Sequence, residues 1–214
     1  MYDIVLFDLD GTITQSEFGI FRSVRYALAK FGIEETEANN LRRFIGPPLN
    51  FSFSRFYGLE GEDCEAAVRY FREIYEKEGF KDAPVYEGIR DILKDLRDAG
   101  KKLMIVTFKP RKLAEMVVKH AGLDIFFDEI IAPEQELDLP DKTELIKKAV
   151  RKTGSEGKNV IMIGDRKSDI EGACNAGIDS IGVLYGYGSG EEFDNTAVTY
   201  LVNTPGEIRD LILS

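Results

Sequence analysis

The sequence predicts an α/β protein in which a doubly wound parallel sheet carries an all-helical segment inserted after its first strand. Three observations predict this fold class. Short, nearly continuous apolar runs recur along the 214 residues, as is typical of strands buried on both faces of a parallel sheet. Stretches with apolar residues at helical spacing separate most of these runs. One long stretch, from about residue 15 to residue 80, contains helical patterns and no convincing strand.

The core elements follow in order from the hydrophobic pattern. The predicted strands are "DIVLF", "KLMIVT", "DEIIA", "NVIMIG", "DSIGVLY" and a weaker "VTYLV" near the end. In "YEGIRDILKDLRDAG", apolar residues at helical spacing are followed by Gly100, which is placed to end the helix in a left-handed conformation. The same arrangement recurs with Gly122, Gly154 and Gly177. Strands that alternate with helices in this way indicate a parallel sheet covered by helices.

The inserted segment has its own helical patterns. Ile20, Val24, Leu28 and Phe31 form one apolar stripe, and "EDCEAAVRYFREIYEKEG" forms another. The prolines of "GPPLN", residues 46–50, require a helix boundary between them. We therefore predict two domains, an α/β core of residues 1–14 and 81–214 and a helical domain of residues 15–80.

The charge balance restricts the classes of partner. Lys and Arg number 28 against 38 Asp and Glu, which gives a net charge of -10. A negative field argues against binding to nucleic acid and to anionic membranes, both of which rely on basic surfaces. No apolar run reaches transmembrane length, and Met1 leads directly into a strand, so we expect a cytoplasmic protein. An anionic substrate would have to be met by local positive charge.

Polar residues cluster at the predicted strand ends, where an open parallel sheet binds its ligands. They are Asp8 and Asp10 after the first strand, Thr107 and Lys109 after "KLMIV", and Asp165 after "NVIMI", with Lys142 at the start of an intervening helix. Each of these residues taken alone has an ordinary structural interpretation, such as a solvated loop or a surface lysine. Their occurrence at successive strand ends indicates one site.

The residue types at these ends point to phosphate chemistry. Asp8 and Asp10 point the same way in an extended chain, and Asp165 would add a third carboxylate. Such a cluster is unstable unless a cation lies within it or protons are shared, and oxygen ligands of this kind suit Mg²⁺. Asp169 lies one helical turn beyond Asp165 and can support the cluster. Thr107 offers a hydroxyl and backbone amides, and Lys142 offers a cation, both of which suit phosphoryl oxygens.

These residues resemble the motifs of the haloacid dehalogenase superfamily of phosphatases over nearly the whole chain. "DLDGT" resembles the first motif and "VTFKP" the second, while Lys142 in "PDKTELI" resembles the third and "GDRKSD" the fourth. The helical segment is similar to the smallest cap domain of this family. "FIGPPL" and "GVLYGYGS" resemble the phosphoglycolate phosphatase subgroup. The resemblance implies a Rossmann-like core and an inserted helical cap.

The resemblance also implies residue roles. Asp8 would be the nucleophile that forms an aspartyl-phosphate, and Asp10 would be the general acid and base. Mg²⁺ would be held by the Asp8 carboxylate, the Asp10 carbonyl and Asp165.

Thr107 and Lys142 would bind the remaining phosphoryl oxygens, and Asp169 would orient Lys142 or a metal-bound water. Lys109 is a further candidate for substrate binding at the mouth of the site, with a structural salt bridge as the alternative. Phe108 stands where the family usually has a small polar residue, which leaves no phosphate contact from that side chain.

The predicted function is Mg²⁺-dependent hydrolysis of a small-molecule phosphate ester, similar to that of the phosphoglycolate phosphatases. Alternatives within the superfamily are a 5′-nucleotidase, a sugar-phosphate phosphatase and a phosphomutase. A receiver-like signalling module is the alternative that is not an enzyme. Asp10 argues against a dehalogenase, because expulsion of halide needs no proton and that branch lacks this aspartate. The loop "YGYGSG" is interpreted as flexible and adjacent to the site, and the oligomeric state is not predicted.

Overall fold

The computed structural model describes residues 2–134, 141–155 and 159–214. The chain divides into two compact units, Met1–Gln15 with Val85–Ser214 and Ser16–Pro84. Pro140, the first residue of the proposed third motif, lies outside the described residues. Within the described residues, no helix is both long enough and apolar enough to cross a membrane.

The first unit contains a six-stranded sheet. Its strands are β1 (Ile4–Phe7), β2 (Lys102–Val106), β3 (Glu129–Ile131), β4 (Val160–Gly164), β5 (Asp179–Val183) and β6 (Tyr200–Val202). They lie in the order β3-β2-β1-β4-β5-β6, and every neighbouring pair is parallel. Each of the six apolar runs forms a strand, so the predicted fold class is confirmed.

The register of the central strands places three chain segments at one edge of the sheet. Phe7, the last residue of β1, is level with Ile105 of β2 and with Ile163 of β4. Because the strands are parallel, the residues that follow them leave the sheet at the same edge. Asp8, Thr107 and Asp165 are therefore brought to one side by the pairing alone.

The second unit is helical. Its helices are α1 (Glu17–Ala29), α2 (Ala38–Arg42), α3 (Leu49–Tyr57) and α4 (Gly61–Tyr75), followed by a short 3-10 helix (Gly79–Lys81). Residues 15–80, all of which the structure describes, contain no strand. The predicted helix boundary at "GPPLN" is confirmed, because α2 ends before it and Pro48 is the N-cap of α3.

Two close contacts hold the second unit together. Gly19 of α1 approaches Gly79 so closely that a Cβ at position 19 would lie 1.9 Å from the Gly79 carbonyl oxygen. The rings of Phe44 and Phe53 meet edge to face with centroids 4.9 Å apart, and Phe53 is fully buried. Phe51, in contrast, is 53% exposed. Phe53 is thus a core residue, whereas the exposed ring of Phe51 meets that of Phe56 edge to face with centroids 6.3 Å apart.

The remaining helices flank the sheet. They are α5 (Ile89–Asp98), α6 (Arg111–His120), α7 (Lys142–Thr153), α8 (Lys167–Ala176), α9 (Gly190–Phe193) and α10 (Pro205–Leu213). Residues of α7 and α8 pack on the sheet face that carries Ile4 and Leu6. Val5 and Phe7 point to the opposite face by the strand period of two, and both are fully buried. Both faces of the sheet are thus covered, as the near-continuous apolar strands predict.

A capping interaction fixes where α7 begins. The Asp141 carboxylate accepts hydrogen bonds from the backbone N–H and from the hydroxyl of Thr143, each at 3.0 Å. This N-cap satisfies an amide that the helix leaves without a partner. Lys142 is consequently the first residue of the helix.

Candidate active site

Asp8 is the first residue beyond β1. Its backbone N–H donates to the Ile163 carbonyl at 2.8 Å, which extends the pairing with β4 by one step. Its side chain is buried, and Oδ1 lies 2.7 Å from Nζ of Lys142. The strand thus places the Asp8 carboxylate against a cation.

Lys142 is surrounded by acidic groups. Its Nζ lies 2.7 Å from Oδ1 of Asp8 and 2.7 Å from Oδ1 of Asp169, and it sits 5.0 Å from the centre of the Phe108 ring. Burial by itself would lower the pKa of this lysine, but the attraction of Asp169 and Asp8 outweighs burial and raises the pKa. Lys142 is therefore a permanent cation within the site.

Asp165 follows β4 and is fully buried. The Thr12 hydroxyl donates to its Oδ1 at 3.2 Å, and the Tyr187 backbone N–H donates to its Oδ2 at 2.9 Å. Asp169 is also buried, and its Oδ2 accepts from the Arg166 backbone N–H at 3.1 Å. Oδ2 of Asp169 is therefore held by this amide, while Oδ1 faces the Lys142 ammonium as an ion pair.

Burial and the neighbouring acidic charges raise the pKa values of Asp8 and Asp165. Burial, only partly offset by Lys142, raises the pKa of Asp8 to about 6. Burial, reinforced by the charges of Asp8 and Asp169, raises the pKa of Asp165 to about 8. Without a cation, Asp165 would therefore hold a proton at neutral pH.

The donor set fits a magnesium ion. Asp8, Asp165 and Asp169 can each offer one oxygen, and these three atoms all lie within 4.8 Å of one another. Carboxylate oxygens are the hard ligands that Mg²⁺ takes in proteins. A divalent cation would also remove the electrostatic penalty that raises the pKa values of Asp8 and Asp165. The chemistry of these residues is thus suited to the predicted metal.

A second ion pair lies at the same edge of the sheet. Nζ of Lys109 is 3.0 Å from Oδ1 and 2.7 Å from Oδ2 of Asp10. The backbone N–H of Lys109 donates to the Thr107 hydroxyl at 3.2 Å, and the Thr107 N–H donates to the Ile131 carbonyl at 3.1 Å. The loop after β2 therefore presents Thr107 and Lys109 from a backbone anchored to β3.

The segment "YGYGSG" packs directly against Asp165. A Cβ at Gly188 would lie 1.8 Å from the Asp165 carbonyl oxygen, and a Cβ at Gly186 would lie 2.3 Å from the Asp165 Cβ. From the other side, Gly11 adopts a φ of +91°, and a Cβ there would lie 2.2 Å from Oδ2 of Asp165. Only glycine fits at these three positions. The prediction that the loop borders the site is confirmed.

A family model and individual relatives match this chain. The model of the haloacid dehalogenase-like hydrolases matches residues 5–183. The chain belongs to this family. It is 38% identical to a 5′-nucleotidase of Pseudomonas aeruginosa over 89% of this chain and 86% of the relative. It is 32% identical to the tyrosine-protein kinase PtkA of Mycobacterium tuberculosis over 98% of this chain and 72% of the relative.

A solved structure with the same fold is also similar. The crystal structure of a predicted phosphatase from Clostridium acetobutylicum superposes with a TM-score of 0.91 at 38% identity, covering 100% of this chain and 99% of that one. The predicted membership of the haloacid dehalogenase family is confirmed, and so is the prediction of an enzyme of the hydrolase class.

The site of this haloacid dehalogenase-like hydrolase brings the residues proposed from the sequence into two groups. The first joins Asp8, Lys142 and Asp169 by ion pairs and includes Asp165. The second joins Asp10 and Lys109 beside Thr107. The sequence reasoning missed three contacts, namely the Thr12 hydroxyl, the Tyr187 amide and the Phe108 ring. Of the three, only the Tyr187 amide had a signal in the sequence, because the glycines of "YGYGSG" permit the backbone to approach another group closely.

Proposed function

We propose that this chain is a Mg²⁺-dependent phosphomonoesterase that works through an aspartyl-phosphate on Asp8. The observation that carries the proposal is the buried cluster in which Asp8, Asp165 and Asp169 can offer converging oxygens beside the cation of Lys142. A phosphoryl group carries concentrated negative charge, and this cluster would balance it with the ammonium of Lys142, held in place in advance, and with a cation bound by the carboxylates. The family membership supports the proposal independently.

The reaction divides into two displacements at phosphorus. In the first, the Asp8 carboxylate attacks phosphorus, the bond to the ester oxygen breaks, and Asp10 gives a proton to the departing alkoxide. In the second, Asp10 takes a proton from a water molecule whose oxygen attacks the aspartyl-phosphate. Inorganic phosphate leaves, and the Asp8 carboxylate is regenerated.

Lys142 and Thr107 would bind the oxygens of the phosphoryl group. Lys142 already contacts Asp8 at 2.7 Å, so its ammonium lies where an oxygen of a phosphoryl group bound to Asp8 would come close. Thr107 is 2% exposed at the same sheet edge and can donate its hydroxyl to a second oxygen. Asp169 holds the other side of Lys142 and fixes the direction of its ammonium.

Asp8, Asp165 and the backbone carbonyl of Asp10 would hold Mg²⁺, which when bound supplies positive charge to the phosphoryl oxygens. Asp169 can also offer an oxygen to the cluster, and its ion pair with Lys142 assigns it the role of orienting that lysine.

The helical unit Ser16–Pro84 is proposed as the cap domain that selects the substrate. The sequence motifs favour a small ester such as phosphoglycolate. A second candidate is a nucleoside monophosphate, which is favoured by the 38% identity to a 5′-nucleotidase. The exposed ring of Phe51 and the Arg43 guanidinium, which lies 5.3 Å from the Phe56 ring centre, are candidates for contacting a base and an anionic group.

The test is a turnover assay with and without Mg²⁺ across phosphoglycolate, nucleoside 5′-monophosphates, sugar phosphates, pyrophosphate and an aryl phosphate. We expect Mg²⁺-dependent release of phosphate by the native protein and none by Asp8→Asn. Asp91→Asn, an exposed change on α5, is the matched control and should retain full activity. Full activity of Asp8→Asn, or transfer of phosphate from ATP to tyrosine in place of hydrolysis, would contradict the proposal.

A further inference from the structure

Asp10 and Lys109 form a two-pronged ion pair across two loops. The residues are 99 positions apart in sequence, and the contacts of Nζ with Oδ1 and Oδ2 measure 3.0 Å and 2.7 Å. The side chains are 6% exposed for Lys109 and 15% exposed for Asp10. Pairs on the surface contribute little because water screens them, whereas a pair this enclosed holds its geometry.

The backbone of Lys109 is itself fixed. Its N–H donates to the Thr107 hydroxyl at 3.2 Å, and Thr107 is tied to the sheet through the Ile131 carbonyl. The lysine therefore approaches Asp10 from an anchored loop rather than from a free side chain on the surface. Asp10 lies only two residues after Asp8, in the segment that follows β1. An error in the orientation of Asp10 would therefore misplace its carboxylate relative to the reacting phosphorus.

Each of the two reactive aspartates thus has its own lysine. Lys142 contacts Asp8 and Asp169, and Lys109 contacts Asp10. An ammonium with three donors can keep hold of one carboxylate oxygen while the other exchanges a proton with the leaving group or with water. Misplacement of a proton-transfer group by about 1 Å can reduce a rate roughly 100-fold, so a fixed partner is useful at this position.

We propose that Lys109 is a positioning residue for Asp10 and that the substrate phosphate is bound by other groups. The inference rests on the proposed function, because it assumes that Asp10 transfers protons. It predicts a dependence on the leaving group. Alkyl phosphates expel a strongly basic alkoxide and need a well-placed proton, whereas aryl phosphates with weakly basic leaving groups need it much less.

The experiment compares Lys109→Met with native protein on an alkyl and an aryl phosphate at saturating Mg²⁺. We expect kcat/KM, which reports the first displacement, to fall about tenfold or more for the alkyl ester, a part of the roughly 10²- to 10⁴-fold contribution of a general acid, and at most about threefold for the aryl ester. The inhibition constant of inorganic phosphate should stay within about twofold, because the phosphate ligands are untouched. Lys109→Arg, which can still pair with both carboxylate oxygens, should restore most of the alkyl rate.

Lys94→Met on α5, whose lysine forms an exposed pair with Asp98, is the matched control and should leave both rates unchanged.

A rise in KM and in the phosphate inhibition constant with kcat retained would make Lys109 a substrate ligand and overturn the inference. Equal loss of kcat/KM for both esters, or no loss, would also overturn it. If Lys109→Met does not fold, as judged by circular dichroism, Lys109→Gln and Lys109→Arg are compared with the native protein on the same two esters. Absence of Mg²⁺-dependent turnover in the native protein would instead contradict the proposed function, so the two failures are distinguishable.

Discussion

The ammonium of Lys142 lies 2.7 Å from the carboxylate of Asp8, and both side chains are buried. A buried ion pair is weak evidence for stability, because well-packed apolar residues often stabilise a core as well or better. The position of this pair at the end of a central strand is therefore better explained by a role in the proposed reaction than by a role in stability. The positive charge of Lys142 would stabilise the negatively charged oxygens of a phosphoryl group bound to Asp8.

Replacement of Lys142 by Met tests that explanation. The change keeps the length of the side chain and removes its charge, which leaves Asp8 and Asp169 without their shared cation. We expect kcat/KM to fall roughly 10²- to 10³-fold, as for the loss of a preorganised charge-stabilising group. The free energy of unfolding should fall by about 3–5 kcal/mol, as is typical when one partner of a buried pair is removed.

Steady-state kinetics and urea unfolding measure the two effects of Lys142→Met. Lys147→Met on the same helix, where the lysine side chain is 43% exposed, is the control and should change neither. Near-native kcat/KM in Lys142→Met would refute the assigned role.

The raised pKa of Asp165 predicts how stability depends on pH and metal. Burial lifts its pKa from 3.8 in the unfolded chain to about 8 in the metal-free fold. Between these values the folded state holds a proton that the unfolded state has lost, so the stability of the metal-free protein falls as pH rises from about 4 to about 8. A bound cation favours the ionised carboxylate, so added Mg²⁺ should stabilise more at about pH 8 than at about pH 5.

Thermal melting in EDTA and in Mg²⁺ at both pH values checks this prediction. Asp165→Asn has no charge to titrate at this position. It should melt higher than the native protein in EDTA at about pH 8, and it should gain little from Mg²⁺. An unchanged pH slope in Asp165→Asn would show that another group controls the effect.

The glycine at position 188 should be required for the metal site. A Cβ there would overlap the Asp165 carbonyl oxygen, at 1.8 Å, so Gly188→Ala must displace the backbone that carries this carboxylate. We expect the affinity for Mg²⁺ to fall at least about tenfold, in the range seen when groups supporting metal ligands are changed. Gly190→Ala is the control, because a Cβ there would make an ordinary contact of 3.9 Å with Leu184. Titration calorimetry measures the affinity of each variant for Mg²⁺, and equal affinities in the two variants would contradict the prediction.

The strands and the edge that carries the site could be predicted from the sequence. Residues such as Val5 and Ile161 belong to continuous apolar runs, and a parallel sheet buried on both faces is the structure that such runs favour. Once the strands are parallel, the polar residues that follow them must share an edge. The proximity of Asp8 and Asp165 therefore follows from local patterns together with one topological rule.

The partners of individual side chains could not be predicted in the same way. The sequence allows a structural salt bridge of Lys109 but does not identify Asp10 as its partner, because the contact depends on side-chain direction in two loops joined only through the fold. The amide of Tyr187 could not be assigned to Asp165 for the same reason, since the glycines of "YGYGSG" permit close backbone approach but do not identify the acceptor. Contacts between loops that are distant in sequence depend on tertiary packing, which periodicity does not encode.

Detection of a phosphoryl group on Asp8 tests the central claim most directly. The native protein is mixed with Mg²⁺ and an aryl phosphate, quenched in acid during turnover, and digested for peptide mass spectrometry. We predict that the peptide containing Asp8 gains the mass of one phosphoryl group, that the group is lost on treatment with hydroxylamine, and that Asp8→Asn shows no such peptide. Undiminished turnover with no phosphorylated peptide, or a phosphoryl group on another residue that persists in Asp8→Asn, would contradict it.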